Sequence, residues 1–423
     1  MKQNLLEKRR IGISTIAIVI IVVVIIAIAG VGAYVLTIKP STTSTTTTTS
    51  TTCSGAGCAG SVTLVGAGST LVGPAMQGWT YNFSLIYPNV RLTYSQIGSG
   101  GGVTAITDGT VNFGASDAPL SAAQYGNSTS GLASKRILQI PEIAGGVVPA
   151  YNLGSTFTTH LNFNGTVLAD IYLGTITMWN DPAIQALNPG VTLPDHQIIT
   201  VHRSDGSGTT YVFTDYLSDS SATFNSTIGK GTSVSWCGSG NNSPNCGSTI
   251  IAIGSKGSTG VTGYISGNEY TLGYVETVYA AQASLLYGAV QNAAGVFVLA
   301  NSTTTAAAVV AAASATFPNG TQSWASVSIV DLLLKNTTAT NAYPLATFTY
   351  IMVYQNQATI SGVSQGQALA LASFLYWIIN NQNNAQTYAA NLGYVALPPK
   401  IVAIDDASIL SMNYNGKALL TNT

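Results

Sequence analysis

Apolar positions along the chain change character three times. Residues 11–38 form 28 residues without a charge, and at about 1.5 Å per residue a helix of that length exceeds the roughly 30 Å hydrocarbon core of a bilayer. The run predicts a transmembrane helix. Twelve consecutive Ser/Thr residues follow at 41–52; with nothing to bury, they predict a solvated, extended stalk suited to O-linked sugar. Beyond Gly60 a compound unit recurs. Positions 62–65 alternate as a short strand, Gly66-Ala67-Gly68-Ser69-Thr70 makes a small-residue turn, and Met76, Trp79 and Phe83 fall at helical spacing. Positions 91–97, 98–102 and 103–108 repeat strand, glycine turn and helix; positions 199–202, 203–209 and 210–217 do so again. This is the α/β unit. Nearer the C-terminus, 367–380 carries Leu369, Leu371, Phe374, Leu375, Trp377 and Ile378 on one broad face, which predicts a core helix. The alanine-rich run 304–315 predicts another by propensity, assigned to a second lobe.

Composition narrows the classes of function. Only 7% of the 423 residues are charged, 14 Lys and Arg against 15 Asp and Glu, which excludes a nucleic-acid binder because phosphate neutralisation cannot be built from so few cations. Hydrophobic residues at 46% and 44 glycines allow a large core with many turns. Lys8, Arg9 and Arg10 precede the apolar run, and the positive-inside bias places them in the cytoplasm and everything after Lys39 outside. A cleaved secretory signal has a shorter apolar core, of about 7–15 residues. The segment Arg9-Arg10-Ile11-Gly12-Ile13-Ser14-Thr15 also resembles an archaeal pilin-type signal, cut after the glycine, which would make Ile13 the mature N-terminus. Uncut anchor and pilin-type processing stay open at this point, and both tether the domain.

Four cysteines form two local pairs, Cys53/Cys58 and Cys237/Cys246, which predict two disulfides in an oxidising compartment. Neither pair has metal-ligand spacing and His160, His196 and His202 are scattered, so no metal or other cofactor is assigned. Asn-X-Ser/Thr acceptors stand at Asn82, Asn127, Asn164, Asn225, Asn241, Asn301, Asn319 and Asn336.

The recurring unit has a chemical use. The first N–H groups of a helix lack intrahelical partners and sit at its positive end, so a glycine loop there lets an anion reach bare backbone. Three such loops rich in Ser and Thr, one carrying Arg203, describe donors converging on one small anion. Phe113-Gly114-Ala115-Ser116-Asp117-Ala118-Pro119-Leu120 adds a carboxylate directly after a strand. Asp117 reads either as the cap of a following helix or as an acceptor for an anion that still bears a proton, which phosphate has and sulfate lacks. Asp205 reads as a turn residue or as the partner that orients Arg203.

These motifs together resemble the phosphate-binding subunit of the ABC phosphate importer, a periplasmic-type solute-binding protein, here in an archaeal, membrane-anchored form. The resemblance runs in order from Gly66 to Pro398 and includes Gly145-Gly146-Val147-Val148, Asp170-Ile171-Tyr172-Leu173-Gly174, Leu187-Asn188-Pro189-Gly190, Gly273-Tyr274-Val275-Glu276 and Ala396-Leu397-Pro398, all outside the expected site. It implies an α/β fold of two lobes closing about a hinge over the ligand, in addition to the N-terminal transmembrane helix. The implied organisation is a cytoplasmic basic segment at 1–10, the apolar anchor at 11–38, a stalk at 39–60, a discontinuous first lobe at 61–146 and 347–423, and a second lobe at 147–346. Crossing strands are expected near 147–151 and 342–347.

Carried over position by position, the resemblance implies hydroxyl donors at Thr70, Ser99, Ser207 and Thr209, backbone N–H donors at Leu71, Ser207, Gly208 and Thr209, Asp117 as proton acceptor, and Arg203 held by Asp205. His202 would line the cleft mouth. The implied partners are inorganic phosphate, the transmembrane subunits of the permease, and the membrane. An enzyme would need a nucleophile beside a base, or two metals, and neither is legible. The alternatives are binding of sulfate, molybdate or tungstate, and a surface assembly protein.

Overall fold

A computed structural model describes residues 55–126 and 131–421. The basic segment, the apolar run 11–38, most of the stalk, Cys53 and Asn127 lie outside the described residues. Among the described residues no helix is long and apolar enough to cross a membrane.

The alternating runs form a parallel α/β half. Strand β1 (Val62–Gly68) leads to helix α1 (Gly73–Ile86), β2 (Val90–Gln96) to α2 (Ser99–Thr107), and β3 (Phe113–Ser116) follows. Strands β2 and β3 both pair in parallel with β1. Helix α1 buries Met76, Trp79 and Phe83, the positions its period selects, and leaves Tyr81 and Leu85 exposed. Two boundaries differ from expectation. Gly66–Gly68 extends β1 instead of turning, and α2 begins at Ser99, so Gly100 to Gly102 lie in its first turn. Glycine has low helix propensity, which hid the true start.

A long strand, β4 (Ile137–Asn152), follows, with 15 of its 16 residues buried. A second parallel half adds helix α3 (Gly165–Leu173), strand β5 (Ile199–Arg203), helix α4 (Gly208–Ser220), strand β6 (Ile251–Ser255), helix α5 (Gly257–Gly267) and strand β7 (Thr271–Glu276). After helix α6 (Ser302–Ala312), strand β8 (Ala346–Tyr354) returns and helix α7 (Gln365–Ile379) packs behind it. The strand order is β2-β1-β3-β8-β4-β7-β5-β6.

Strand β4 serves both halves. From Ile137 to Gly146 it pairs antiparallel with β8, and from Val147 to Asn152 it pairs antiparallel with β7. The register with β8 slips at Thr349/Tyr350, where Thr349 faces Ile143 and Tyr350 faces Pro141, leaving Glu142 unopposed. Proline has no N–H to give a ladder, so a bulge beside Pro141 is where such a strand tolerates it.

Two large cores lie on either side of this passage. One gathers Leu64, Trp79, Phe83, Phe113, Ile140, Ala144, Ala346, Phe348, Phe374 and Trp377. The other gathers Val147, Tyr151, Tyr172, Trp179, Phe213, Tyr274 and Leu345. The change of core between Ala144 and Val147, and between Leu345 and Ala346, makes this a two-lobed fold. Helix α6, assigned by sequence to the second lobe, buries Ala308, Val309 and Ala312 in the first core, as do Phe317 and Trp324 beyond it. Propensity shaped this helix, and propensity carries no information about which core it meets. The end of the expected stalk is also docked. Gly55–Cys58 forms a short 3-10 helix, Ala56 and Ala59 enter the first core, and the Asn89 Nδ2 donates to the carbonyls of Ala56 and Gly60 at 2.9 Å each.

Cys237 and Cys246 form a disulfide. Cys58 is disulfide-bonded as well, and its expected partner Cys53 lies outside the described residues. Among the glycan acceptors, Asn225, Asn301 and Asn319 are exposed. The Nδ2 of Asn241 donates to the carbonyls of Thr227 and Ser235 at 3.0 Å each, so a sugar there would break both bonds.

Candidate anion site between the lobes

In an open α/β sheet, ligands bind beyond the carboxyl ends of the strands, where the following helices begin. The residues singled out by sequence lie there. Thr70 and Leu71 follow β1, Ser99 opens α2, Asp117 follows β3, Arg203 ends β5, and Gly208 and Thr209 open α4. The α4 boundary is again earlier than the sequence suggested, which turns Gly208 and Thr209 from loop residues into first-turn donors.

Arg203 anchors the second-lobe side. Its side chain is 1% exposed, and its Nε and Nη2 donate to the two Asp205 oxygens at 2.8 and 2.6 Å, a bidentate pair. Burial works to raise the Asp205 carboxyl, but the hydrogen bonds and charge of Arg203, joined by the Gly257 N–H at 2.9 Å, hold it below the usual carboxylate range. Asp205 therefore orients Arg203, the second of its two sequence readings. The remaining guanidinium nitrogen, Nη1, donates to Ser258 Oγ at 3.2 Å and Thr209 Oγ1 at 3.4 Å.

Asp117 anchors the first-lobe side. It is 2% exposed and accepts from the hydroxyls of Ser69, Ser99 (3.2 Å) and Thr349 (3.0 Å). Burial pushes its carboxyl up to about 6, opposed by the Ser69 hydrogen bond and reinforced by the charge of Glu276. Its position among hydroxyl donors, with no short helix closed on its side chain, fits an acceptor role better than a cap.

The two sides touch. Ser99 Oγ accepts from the Gly208 N–H at 3.0 Å while donating to Asp117, and the Gly100 N–H donates to the Gly206 carbonyl at 2.9 Å. Thr70 Oγ1 and Ser258 Oγ are 2.6 Å apart, and Tyr279 donates to the Thr70 carbonyl at 2.8 Å. A β-carbon at Gly208 would lie 2.5 Å from the Asp117 β-carbon, and one at Gly98, whose φ is +84°, would lie 2.3 Å from an Asp205 oxygen. Only glycine permits either approach.

Two expected donors are engaged otherwise. The Ser207 N–H donates to the Thr232 carbonyl at 2.7 Å, while its Oγ caps α4 by accepting from the Thr210 N–H at 3.2 Å; its hydroxyl hydrogen is what it has left to offer. The Leu71 N–H donates to Ser69 Oγ at 3.0 Å. His202 is buried rather than at a mouth, stacked on Trp236 at 5.4 Å, with burial lowering its pKa. Sequence reasoning missed Ser69, Ser258, Glu276 and Thr349. Ser258 follows β6 in a fourth strand, glycine and helix unit, a signal that was present. Glu276 ends β7 just as Asp117 follows β3, although its motif was set outside the site.

Two α/β lobes sharing a crossing strand, with buried donors from both lobes meeting at helix starts, define a two-lobed solute-binding protein. Residues 40–382 match the PBP superfamily domain. The phosphate-binding protein PstS of Xylella fastidiosa is 36% identical over 81% of this chain and 83% of its own. The PstS of the archaeon Methanocaldococcus jannaschii is 32% identical over 80% and 83%. Among solved structures, a human phosphate binding apolipoprotein superposes with a TM-score of 0.58 at 18% identity, covering 84% of this chain and 99% of that one. A phosphate binding protein from Stenotrophomonas maltophilia gives 0.54 at 19% identity, covering 82% and 93%. The chain belongs to the PBP superfamily and, within it, to the PstS family.

Proposed function

We propose that the protein binds inorganic phosphate between its lobes outside the cell and delivers it to an ABC-type import permease; it is a binding protein and not an enzyme. The observation that carries this reading is the juxtaposition of the buried Arg203, held by Asp205, with Asp117, bridged by Ser99, at the starts of α2 and α4. Arg203 supplies charge. The hydroxyls of Thr70, Ser99, Ser207 and Thr209 and the N–H groups of Gly208 and Thr209 supply neutral dipoles at helix starts, while the Leu71 N–H is held by Ser69. Asp117 accepts the proton that phosphate carries.

Selectivity follows from the same acid. Sulfate would present an unprotonated oxygen to the Asp117 carboxylate, and a buried mismatch of that kind costs several kcal/mol, about a thousandfold in affinity. The boundary between lobes is assigned to 146/147 on the outward pass and to 345/346 on the return, with helix α6 of the intervening segment packed on the first core. The apolar run 11–38 is proposed as a single-pass anchor, cut or uncut at Gly12, with the Ser/Thr tract as stalk and with sugar on the exposed acceptors Asn225, Asn301 and Asn319.

Calorimetric titration with phosphate, sulfate and molybdate tests the reading. Phosphate is expected to bind tightly and sulfate about a thousandfold more weakly, and Asp117→Asn is expected to remove most of that gap. Tighter binding of molybdate or sulfate than of phosphate would overturn the ligand assignment. Discrimination unchanged in Asp117→Asn would overturn the role of that residue.

A further inference from the structure

We infer that Tyr279 is a positioning residue of the anion site: it is the second lobe's hold on the backbone of the first-lobe loop that carries Thr70, and closing the lobes completes it. This rests on the phosphate reading above and goes beyond it in naming a group outside the donor set.

Three tyrosine hydroxyls donate to three successive carbonyls just before α1. Tyr94, on β2, donates to the Ser69 carbonyl at 2.7 Å, Tyr279 to the Thr70 carbonyl at 2.8 Å, and Tyr394 to the Leu71 carbonyl at 2.5 Å. Across a trans peptide the C=O and N–H point opposite ways, so each hydroxyl fixes the plane of one peptide unit between Ser69 and Val72. The donors are neutral. Burial, with the charge of Asp117 adding to it, raises all three phenols above their ordinary range, so they keep the hydrogen they give.

The three differ in the core that holds them. Tyr394 is buried in the first core and Tyr94 packs against it, and the same core contains Leu71. Tyr279 is 8% exposed and belongs to the second core; it stands in the short helix Thr277–Gln282 that follows β7. Tyr94 and Tyr394 therefore hold the loop from within its own lobe, and Tyr279 holds it from the other. The Tyr279 hydroxyl also lies 3.0 Å from the side-chain oxygen of Gln96, which ends β2 in the first lobe. Thr70 is thus gripped twice across the cleft, through its carbonyl by Tyr279 and through its hydroxyl by Ser258, 2.6 Å away in the first turn of α5.

A carbonyl oxygen has two lone pairs, and the Thr70 carbonyl also accepts from the Gly73 N–H at 3.1 Å. Removing the Tyr279 hydroxyl leaves that carbonyl bonded within its own lobe. The bond from Tyr279 therefore adds to closure over the ligand, whereas those from Tyr94 and Tyr394 add to the fold of the first lobe.

The test compares Tyr279→Phe with Tyr94→Phe and Tyr394→Phe in the full chain, by calorimetric titration with inorganic phosphate and by scanning calorimetry without it. Tyr279→Phe is expected to bind phosphate about three- to tenfold more weakly, the range for one net hydrogen bond. Tyr94→Phe and Tyr394→Phe are each expected to lower the phosphate-free melting temperature by at least about 1 °C, and Tyr279→Phe to lower it less than either while losing more affinity than both. Natural affinity in Tyr279→Phe overturns the inference, and so does an equal affinity loss in all three variants. A Tyr279→Phe chain that fails to fold, or melts as low as Tyr94→Phe, overturns it too, since the bond would then belong to the fold and not to closure. No phosphate binding by the natural chain is a different result, which fails the phosphate reading and this inference with it.

Discussion

A methyl group at position 208 would sit 2.5 Å from the Asp117 β-carbon and 2.7 Å from the Ala118 nitrogen, which is backbone and cannot swing away. Gly208→Ala should therefore hold the two loops apart. Overpacking of this kind costs about 1–3 kcal/mol, so phosphate affinity is expected to fall about tenfold or more. Calorimetry measures that loss, and an unchanged melting temperature would assign it to closure rather than to folding. At this scale the site was legible where rare residues stood at strand ends: in a chain with 15 acids, Asp117 and Asp205 drew notice, as did Arg203. Glu276 obeyed the same rule but led into Thr277–Gln282 without a glycine turn, so nothing marked it as part of a loop set. Thr349 was invisible, because it reaches Asp117 across a sequence separation of 232 that no local pattern encodes.

Helix α7 shows what the apolar period does read. Trp377 is 1% exposed, with its ring 5.6 Å from Phe83 and 6.3 Å from Phe374. Trp377→Ala should destabilise by about 3–5 kcal/mol, seen as a lower denaturant midpoint. At its start, Ser364 and Gln367 form a capping box; Ser364→Ala is expected to lose about 1 kcal/mol in the same assay. The helices and short strands were readable because burial on one face imposes a period. Strand β4 was not, since burial on both faces erases alternation, and Pro141, Gly145, Gly146 and Pro149 read locally as breakers. Only its second half was expected, as a crossing strand.

Across the molecule, several acids are held without charge-stabilising partners. Glu142, at the bulge, is fully buried with neither carboxyl oxygen hydrogen-bonded, and Asp405 is the same. Burial raises both well above the usual carboxylate range, with Asp117 adding to Glu142 and Asp406 to Asp405. Asp117 is raised from 3.8 to about 6. Acids raised in the folded state bind protons that the unfolded chain releases. Their contribution is complete below the ordinary range and fades as pH climbs through the folded value, for Asp117 between 3.8 and about 6. Asp205, held low, acts in the opposite sense. The melting temperature is thus expected to be highest in mild acid and to fall toward neutrality, and Glu142→Gln should flatten part of that fall in scanning calorimetry.

The shared ladder of β4 has a mechanical corollary. Its first part, Ile137–Gly146, pairs with β8 and feeds the first core, and its second, Val147–Asn152, pairs with β7 and feeds the other, so neither part can melt while its neighbour keeps that strand intact. Heating should accordingly yield one endotherm, with equal van't Hoff and calorimetric enthalpies, where two beads on a string would give two peaks.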